Sequence, residues 1–227
     1  ASSGYGGVVP RRRGLVVDFY RMRDIISLDK DAQTVTVQPG IVWEALDSEL
    51  RKQGLTLRLF PSSYPGSTVA GWLAQGGAGF GSFQFGWFRD NVVSARVVLP
   101  NGEVRIFSGS ELDLVSDAEG ITGFITEVTL KVQDDFEPAV TAIACHDADI
   151  LGKGMQALAE SKLPIWSVTF VNPTMATLKN QVPLKTHHGH VVEHRVDLPP
   201  AYIVTLAYRP ADEATIMAGL EPLVKSC

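Results

Sequence analysis

Three glycine-rich segments hold the residues best suited to chemistry: Ser2-Ser3-Gly4-Tyr5-Gly6-Gly7, the run from Gly66 to Gly86, and Glu119-Gly120-Ile121-Thr122-Gly123. A glycine has no Cβ, so its backbone N–H can approach an anion closely. Hydroxyls such as those of Ser2, Ser3, Ser67 and Thr68 add donors for phosphate oxygens. Singly, each segment reads as a turn between strands. Together they suit a dinucleotide, whose two phosphates need N–H donors and whose flat rings need a close backbone wall. The signature is not that of the commonest nucleotide folds. There is no G-x-x-x-x-G-K-[ST] run, and no G-x-G-x-x-G that follows a strand, opens a helix and precedes an acidic residue.

Other reactive residue types carry weaker signals. His187, His188, His190 and His194 are closely spaced, but in a polar stretch without carboxylates at helical spacing, so no metal site is expected. Cys145 and Cys227 lie far apart with no C-x-x-C, which suggests neither a disulfide framework nor a thiolate metal site and fits a reducing, cytosolic setting. Trp72, Phe80, Phe83, Phe85, Trp87 and Phe88 read as core or as packing at the edge of a ligand rather than a substrate box. Glu127 and Lys131 read as an exposed strand face rather than a proton relay. The net charge of −5 argues against a nucleic-acid surface, and Arg11-Arg12-Arg13 reads as a solvated turn. No run of roughly twenty apolar residues is present to span a bilayer.

The elements that must position these residues follow from periodicity. With 227 residues, 45% of them hydrophobic and 20% charged, the chain can bury one large core, or one core and part of another. Gly14 to Phe19 reads as a buried strand, followed by a hairpin of residues 25–28 and 34–37. Trp43, Leu46 and Leu50 recur at helical spacing, with Gly54 at the C-terminal stop. Residues 55–59 read as a strand, and 60–91 as irregular. A hairpin over 92–99 and 104–107 turns at Pro100-Asn101-Gly102, and residues 123–132 form the last strand of this block. A boundary is expected after residue 135. Beyond it, strands near 139–144, 165–171 and 201–208 and helices over 150–161 and 211–225 make most of a ferredoxin-like α+β unit, with a polar loop before the last strand.

At this point the residues resemble a known family. Ser2 to Pro10, followed by Gly14-Leu15-Val16-Val17-Asp18, is similar to the pyrophosphate loop and next strand of the PCMH-type FAD-binding domain. That domain is shared by vanillyl-alcohol oxidase, D-lactate dehydrogenase and glycolate oxidase subunits. Five more segments match in order: Val35 to Gly40, Pro61-Ser62-Ser63 with Ser67 to Trp72, Gly77-Ala78-Gly79 with Phe85-Gly86 and Asp90-Asn91-Val92, Val98 to Gly102, and Glu119-Gly120 with Gly123 to Thr126. The resemblance implies an α+β fold: a PCMH-type FAD-binding domain over residues 1–135, truncated at its N-terminus, then part of a ferredoxin-like cap over 136–227. Both ends read as cut, so a fragment is expected.

The resemblance further implies that Ser2, Ser3, Gly4, Gly6 and Gly7 wrap the pyrophosphate. Pro61, Ser62, Ser67, Thr68, Gly71, Trp72, Gly77, Ala78 and Gly79 would line the flavin and ribityl chain, and Glu119, Gly120, Gly123 and Ile125 would hold the adenosine side. No histidine lies in the first two loops to tether the cofactor, so FAD is expected to be non-covalent. Where the family has Gly-Gly, this chain has Ala70-Gly71, which adds a methyl group near the cofactor. The implied activity is that of an FAD-linked oxidase or dehydrogenase that moves a hydride from a hydroxylated organic acid, a 2-hydroxy acid, to flavin N5. No catalytic base is identified. Two alternatives are a flavin transferase similar to alkylglycerone-phosphate synthase, whose Ser-Thr-Val-Gly-Gly-Trp is close to Ser67 to Trp72, and a non-catalytic FAD-binding fragment or subunit. The implied partners are a small-molecule substrate and an electron-acceptor subunit or quinone, with no nucleic acid and no transmembrane segment. The expected location is cytoplasmic, with a peripheral seat at the inner membrane left open.

Overall fold

The computed structural model describes residue 6 and residues 9–184, 186–187, 190–191 and 195–227. The chain divides into two compact units, Ala1–Phe136 and Glu137–Cys227.

In the first unit, β1 (Ile25–Asp29) and β2 (Thr34–Val37) form the expected hairpin. Its turn is held by the Ala32 amide donating to the Asp29 carboxylate at 2.9 Å. Alternation puts Val35 and Val37 into the core. Helix α1 (Trp43–Arg51) buries Trp43, Leu46 and Leu50, one face of a 3.6-residue period, and Glu44 in its first turn suits the helix dipole. Short strand β3 (Leu55–Leu57) follows, then helices α2 (Val69–Gln75) and α3 (Ser82–Phe85). Strands β4 (Val92–Val98) and β5 (Val104–Ser108) make the second hairpin. The spine is β6 (Phe124–Asp134), which pairs antiparallel with β2, β3 and β4 in the order β1-β2-β6-β4-β5.

Beneath that sheet, Trp43, Trp72 and Phe88 form one aromatic group. The rings of Trp72 and Phe88 stack at 4.4 Å, and Trp43 meets both edge-on at 5.5 and 5.4 Å. Each such pair adds about 1 kcal/mol beyond the area it buries. The indole N–H of Trp43 is buried, and no hydrogen-bond acceptor meets it among the described residues.

The strand expected over Gly14 to Phe19 is not formed. Leu15 and Val16 are 90% and 68% exposed, and the segment pairs with no strand. A β-branched run becomes a strand only when a ladder satisfies its backbone groups, and no described segment supplies one here.

In the second unit, β7 (Ala139–Cys145), β8 (Ile165–Val171) and β11 (Tyr202–Tyr208) form an antiparallel sheet in the order β7-β11-β8. The register runs from Tyr202 opposite Cys145 to Tyr208 opposite Ala139. Helices α4 (Ala148–Glu160) and α6 (Glu213–Ser226) cover one face, where Leu151, Leu158, Ile216, Leu220 and Leu223 meet Ile143, Val204, Leu206 and Tyr208. A methyl group on Gly154 would fall 2.1 Å from Leu223, so glycine sets the close approach of the two helices. The stretch expected to be a loop contains α5 (Pro173–Gln181), begun by Asn172 capping the Met175 amide at 2.7 Å with Pro173 in the first turn. It also contains a two-strand ribbon, β9 (Thr186–His187) with β10 (His190–Val191).

The strand–helix–strand–strand–helix order is that of the larger part of a ferredoxin-like unit. Cys145, at the end of β7, is fully buried, and Cys227, just beyond α6, packs against the same cluster.

Candidate cofactor site

Predicted residues from the loops over 60–68 and 117–119 meet around α1 and α2. The N–H of Val69 donates to the Ile41 carbonyl, that of Trp43 to Ser67, and that of Glu44 to Pro65, so the loop over 60–68 is tied to the start of α1. Ser63 donates to the Ser67 hydroxyl at 2.8 Å, and buried Ser67 is thereby committed to its own loop. Thr68 stands at the N-cap of α2 without a side-chain cap bond. The amides of Ala70 and Gly71, which open the helix, meet no acceptor among the described residues. Ala70 is buried whereas Gly71 is exposed. The methyl group that stands in place of the first glycine's hydrogen therefore packs inward, and the exposed ledge keeps its glycine.

A second loop closes against the first. Phe60 and Phe80 exchange two backbone hydrogen bonds at 3.1 and 2.9 Å, and their rings stack at 5.2 Å. Behind them, a Cβ on Gly79 would lie 2.2 Å from the Phe60 carbonyl oxygen and 3.1 Å from Pro61 Cα. Only glycine lets these two backbones touch. A third loop reaches the C-terminal end of α2, where the Asp117 and Glu119 amides donate to the carbonyls of Leu73 and Ala74. Both residues are left-handed, at φ 55° and 52°. Held non-glycine residues of this kind store strain and are found disproportionately where ligands bind. A Cβ on Gly76 would sit 1.7 Å from the Asp117 carboxylate, so the loop docks only on a glycine.

Beside this junction is a cavity of about 470 Å³ lined by Gly77, Trp87, Arg89, Asp90, Asp113, Ser116 and Asp117. Arg89 Nε donates to Asp113 at 2.6 Å, one terminal nitrogen donates to the Gly109 carbonyl at 3.0 Å, and the other lies 3.6 Å from the Asp90 carboxylate. Sequence reasoning missed this cluster, because Arg89 and Asp113 are joined only by the fold.

Nearby, burial raises the Tyr64 phenol above its ordinary 10.0, helped by the negative charges of Asp47 and Glu44. Arg58 lies over the Phe85 ring at 5.2 Å, and burial lowers its guanidinium pKa.

Among the predicted contacts, Ser62, Gly71, Ala78, Glu119 and Gly120 are exposed, and Thr68, Gly77 and Gly79 are half-buried beside them. Pro61, Trp72 and Ile125 are buried, with Trp72 occupied by its stack on Phe88. Gly123 packs on Val98 of β4. Ser2, Ser3, Gly4 and Gly7 lie outside the described residues, and Gly6 is exposed at φ 72°. Glu127 pairs across the sheet with Arg96 at 2.7 Å, and Lys131 donates to the Asp90 carbonyl at 3.1 Å. His146 is exposed, and His187 and His190 are cross-strand partners. His188 and His194 lie outside the described residues. Among the described residues no group of three metal-ligating side chains is present.

A ledge of free amides and glycines, closed by backbones that tolerate no Cβ, fits a flat cofactor carrying phosphates. Residues 1–108 match the family model described as "FAD binding domain". The chain is 34% identical over 152 residues to a mitochondrial cytochrome-linked D-lactate dehydrogenase of Arabidopsis thaliana, covering 63% of this chain and 26% of that protein. It is 28% identical over 186 residues to the glycolate oxidase subunit GlcD of Bacillus subtilis, covering 77% and 40%. A solved alkyldihydroxyacetonephosphate synthase shares the fold at TM-score 0.76 and 20% identity, covering 98% of this chain and 44% of that one. The chain thus spans less than half the length of these relatives. Among the described residues no helix is long and apolar enough to cross a membrane.

Proposed function

We propose that this chain is the flavin-holding part of an FAD-dependent oxidoreductase that oxidises a hydroxylated organic acid, with a 2-hydroxy acid as substrate. The observation that carries the reading is the meeting of the loops over 60–68, 77–80 and 117–119 beside α2 in a segment matched in large part to an FAD binding domain. Bound FAD would supply a two-electron acceptor. The chain's own residues would bind and orient it. The amides of Ala70 and Gly71 with the Thr68 hydroxyl would offer donors, Gly77 to Gly79 would give a close wall, and Glu119 and Gly120 would close the far end. The Ser2 to Gly7 segment would take the pyrophosphate. The relatives named for D-lactate and glycolate support the substrate class. An electron-acceptor subunit or a quinone would then receive the electrons.

The test is direct. Purified protein should carry, or take up, non-covalent FAD visible in its absorbance, and D-2-hydroxy acids should bleach that absorbance without oxygen. Protein that stays colourless after FAD is added would sink the cofactor reading. Bound flavin that no 2-hydroxy acid bleaches would sink the substrate reading.

A further inference from the structure

We infer that the groove between α4 and α6 in the second unit binds a straight-chain monocarboxylic acid, with the hydrocarbon chain along the groove and the carboxylate on Lys153. The groove is a cavity of about 370 Å³, with Ile150, Lys153, Ala157 and Leu158 on the α4 side and Leu220 and Pro222 on the α6 side. Glycines fix how closely its walls approach. A Cβ on Gly154 would lie 2.1 Å from Leu223, and one on Gly219 would lie 2.7 Å from Leu163. Where these glycines and Ala157 stand in place of larger side chains, the surface is left concave. Buried Leu158, Leu220 and Leu223 give it an apolar floor continuous with the core, while Ala157, Gly219 and Pro222 are exposed and leave it open to solvent. Pro222 lies inside α6, where it offers the helix no N–H and shows the groove an apolar ring.

The polar groups decide the occupant. Ser161, which also lines the groove, is committed to the backbone: its hydroxyl donates to the Leu158 carbonyl at 2.7 Å and accepts from the Leu163 amide at 3.2 Å. Lys153 is not committed. Among the described residues its ammonium has no ion-pair or hydrogen-bond partner. Asp149, one turn before it in α4, forms no ion pair with it, and Glu160 and Glu221 are engaged by Gln156 at 3.2 Å and Lys225 at 2.5 Å. One uncompensated cation beside an otherwise apolar trough complements one anion on an otherwise apolar chain. A sugar or a nucleotide would strand its hydroxyls against hydrocarbon, and a cationic amphiphile would meet Lys153 with like charge. The volume falls within the range of small-molecule sites. The groove belongs wholly to the second unit, so the inference does not rest on the flavin reading.

Sodium decanoate, kept below its micelle-forming concentration, is titrated into the 227-residue protein by calorimetry, and amide NMR shifts locate it. Saturable binding with shifts centred on residues 153–158 and 219–223 is expected, with or without FAD. Affinity should rise about fourfold for each CH₂ added between hexanoate and decanoate. Lys153→Glu, at an exposed position, should weaken decanoate by about tenfold and make decyltrimethylammonium the better ligand. Ala157→Trp, also exposed, should fill the groove and abolish binding with the melting temperature unchanged. Should that variant melt lower, the exchange of charge preference in Lys153→Glu carries the test. No saturable binding, equal affinity of wild type and Lys153→Glu for decanoate, or shifts centred on residues 60–80 would overturn the inference. A dimer in light scattering that Ala157→Trp dissolves would give the groove to a second copy of the chain and overturn it as well.

Discussion

Glycine is where this site is most sensitive to a single atom. Gly79→Ala places a methyl carbon 2.2 Å from the Phe60 carbonyl, which is backbone and cannot rotate away. The two loops must part, at about 1–3 kcal/mol. The expected outcome is a lower melting temperature together with a loss of bound flavin per mole of protein. Gly66→Ala is the control. A Cβ there meets nothing within 4 Å, and its stability should change by less than about 0.5 kcal/mol. Tyr64 makes a pH prediction. Its folded phenol titrates above the ordinary 10.0, so the folded state keeps a proton that the unfolded chain releases. The resulting stability is fully present below pH 10.0 and is lost as pH rises through the folded value. Thermal melts across that range should show a steeper decline for the wild type than for Tyr64→Phe.

At the scale of elements, Asp47 is the fastening between α1, β3 and β6. Its buried carboxylate accepts from the Thr56 hydroxyl at 2.8 Å, the Leu57 amide at 3.4 Å and Arg51 Nε at 2.8 Å, and Arg51 in turn reaches Asp135 at 2.7 Å. Asp47→Ala strands buried donors and should cost about 2–4 kcal/mol in urea unfolding. Arg51→Ala, at a half-exposed position, should cost no more than about 1 kcal/mol. A cost for Asp47→Ala as small as that for Arg51→Ala would show that water can replace the carboxylate. The same elements show what pattern can reveal. The two hairpins and α1 were legible because alternation and 3.6-residue spacing reach the core directly. Helices α2 and α5 were not. Helix α2 is seven residues long, is followed directly by Gly76 and is held by tertiary bonds with Ile41, Asp117 and Glu119. Helix α5 buries only Ala176, so it has no apolar stripe, and only the Asn172-Pro173 start marked it.

For the whole molecule, the division into two units makes ligand effects separable. Free FAD at a hundred times its dissociation constant stabilises the unit that binds it by about 2.7 kcal/mol. Hydrogen exchange should slow over residues 60–80 and 116–120, while the strands over 139–145 and 202–208 keep their rates. Slowing confined to the second unit would place the cofactor elsewhere.

The sequence by itself pointed to a dinucleotide through glycines and hydroxyls suited to phosphate, and the family resemblance carried by six ordered segments implied FAD. It also determined most strands, through alternation. Only the tertiary structure decided which side of α2 is exposed, that Ala70 turns its methyl inward, and that Trp72 belongs to a buried aromatic stack. Only it brought Arg89 to Asp113 and left Leu15 and Val16 in solvent despite their strand propensity. The physical reason is the same in each case. A residue's type sets what it can do, but burial and partners come from chain segments distant in sequence, and no local spacing encodes those.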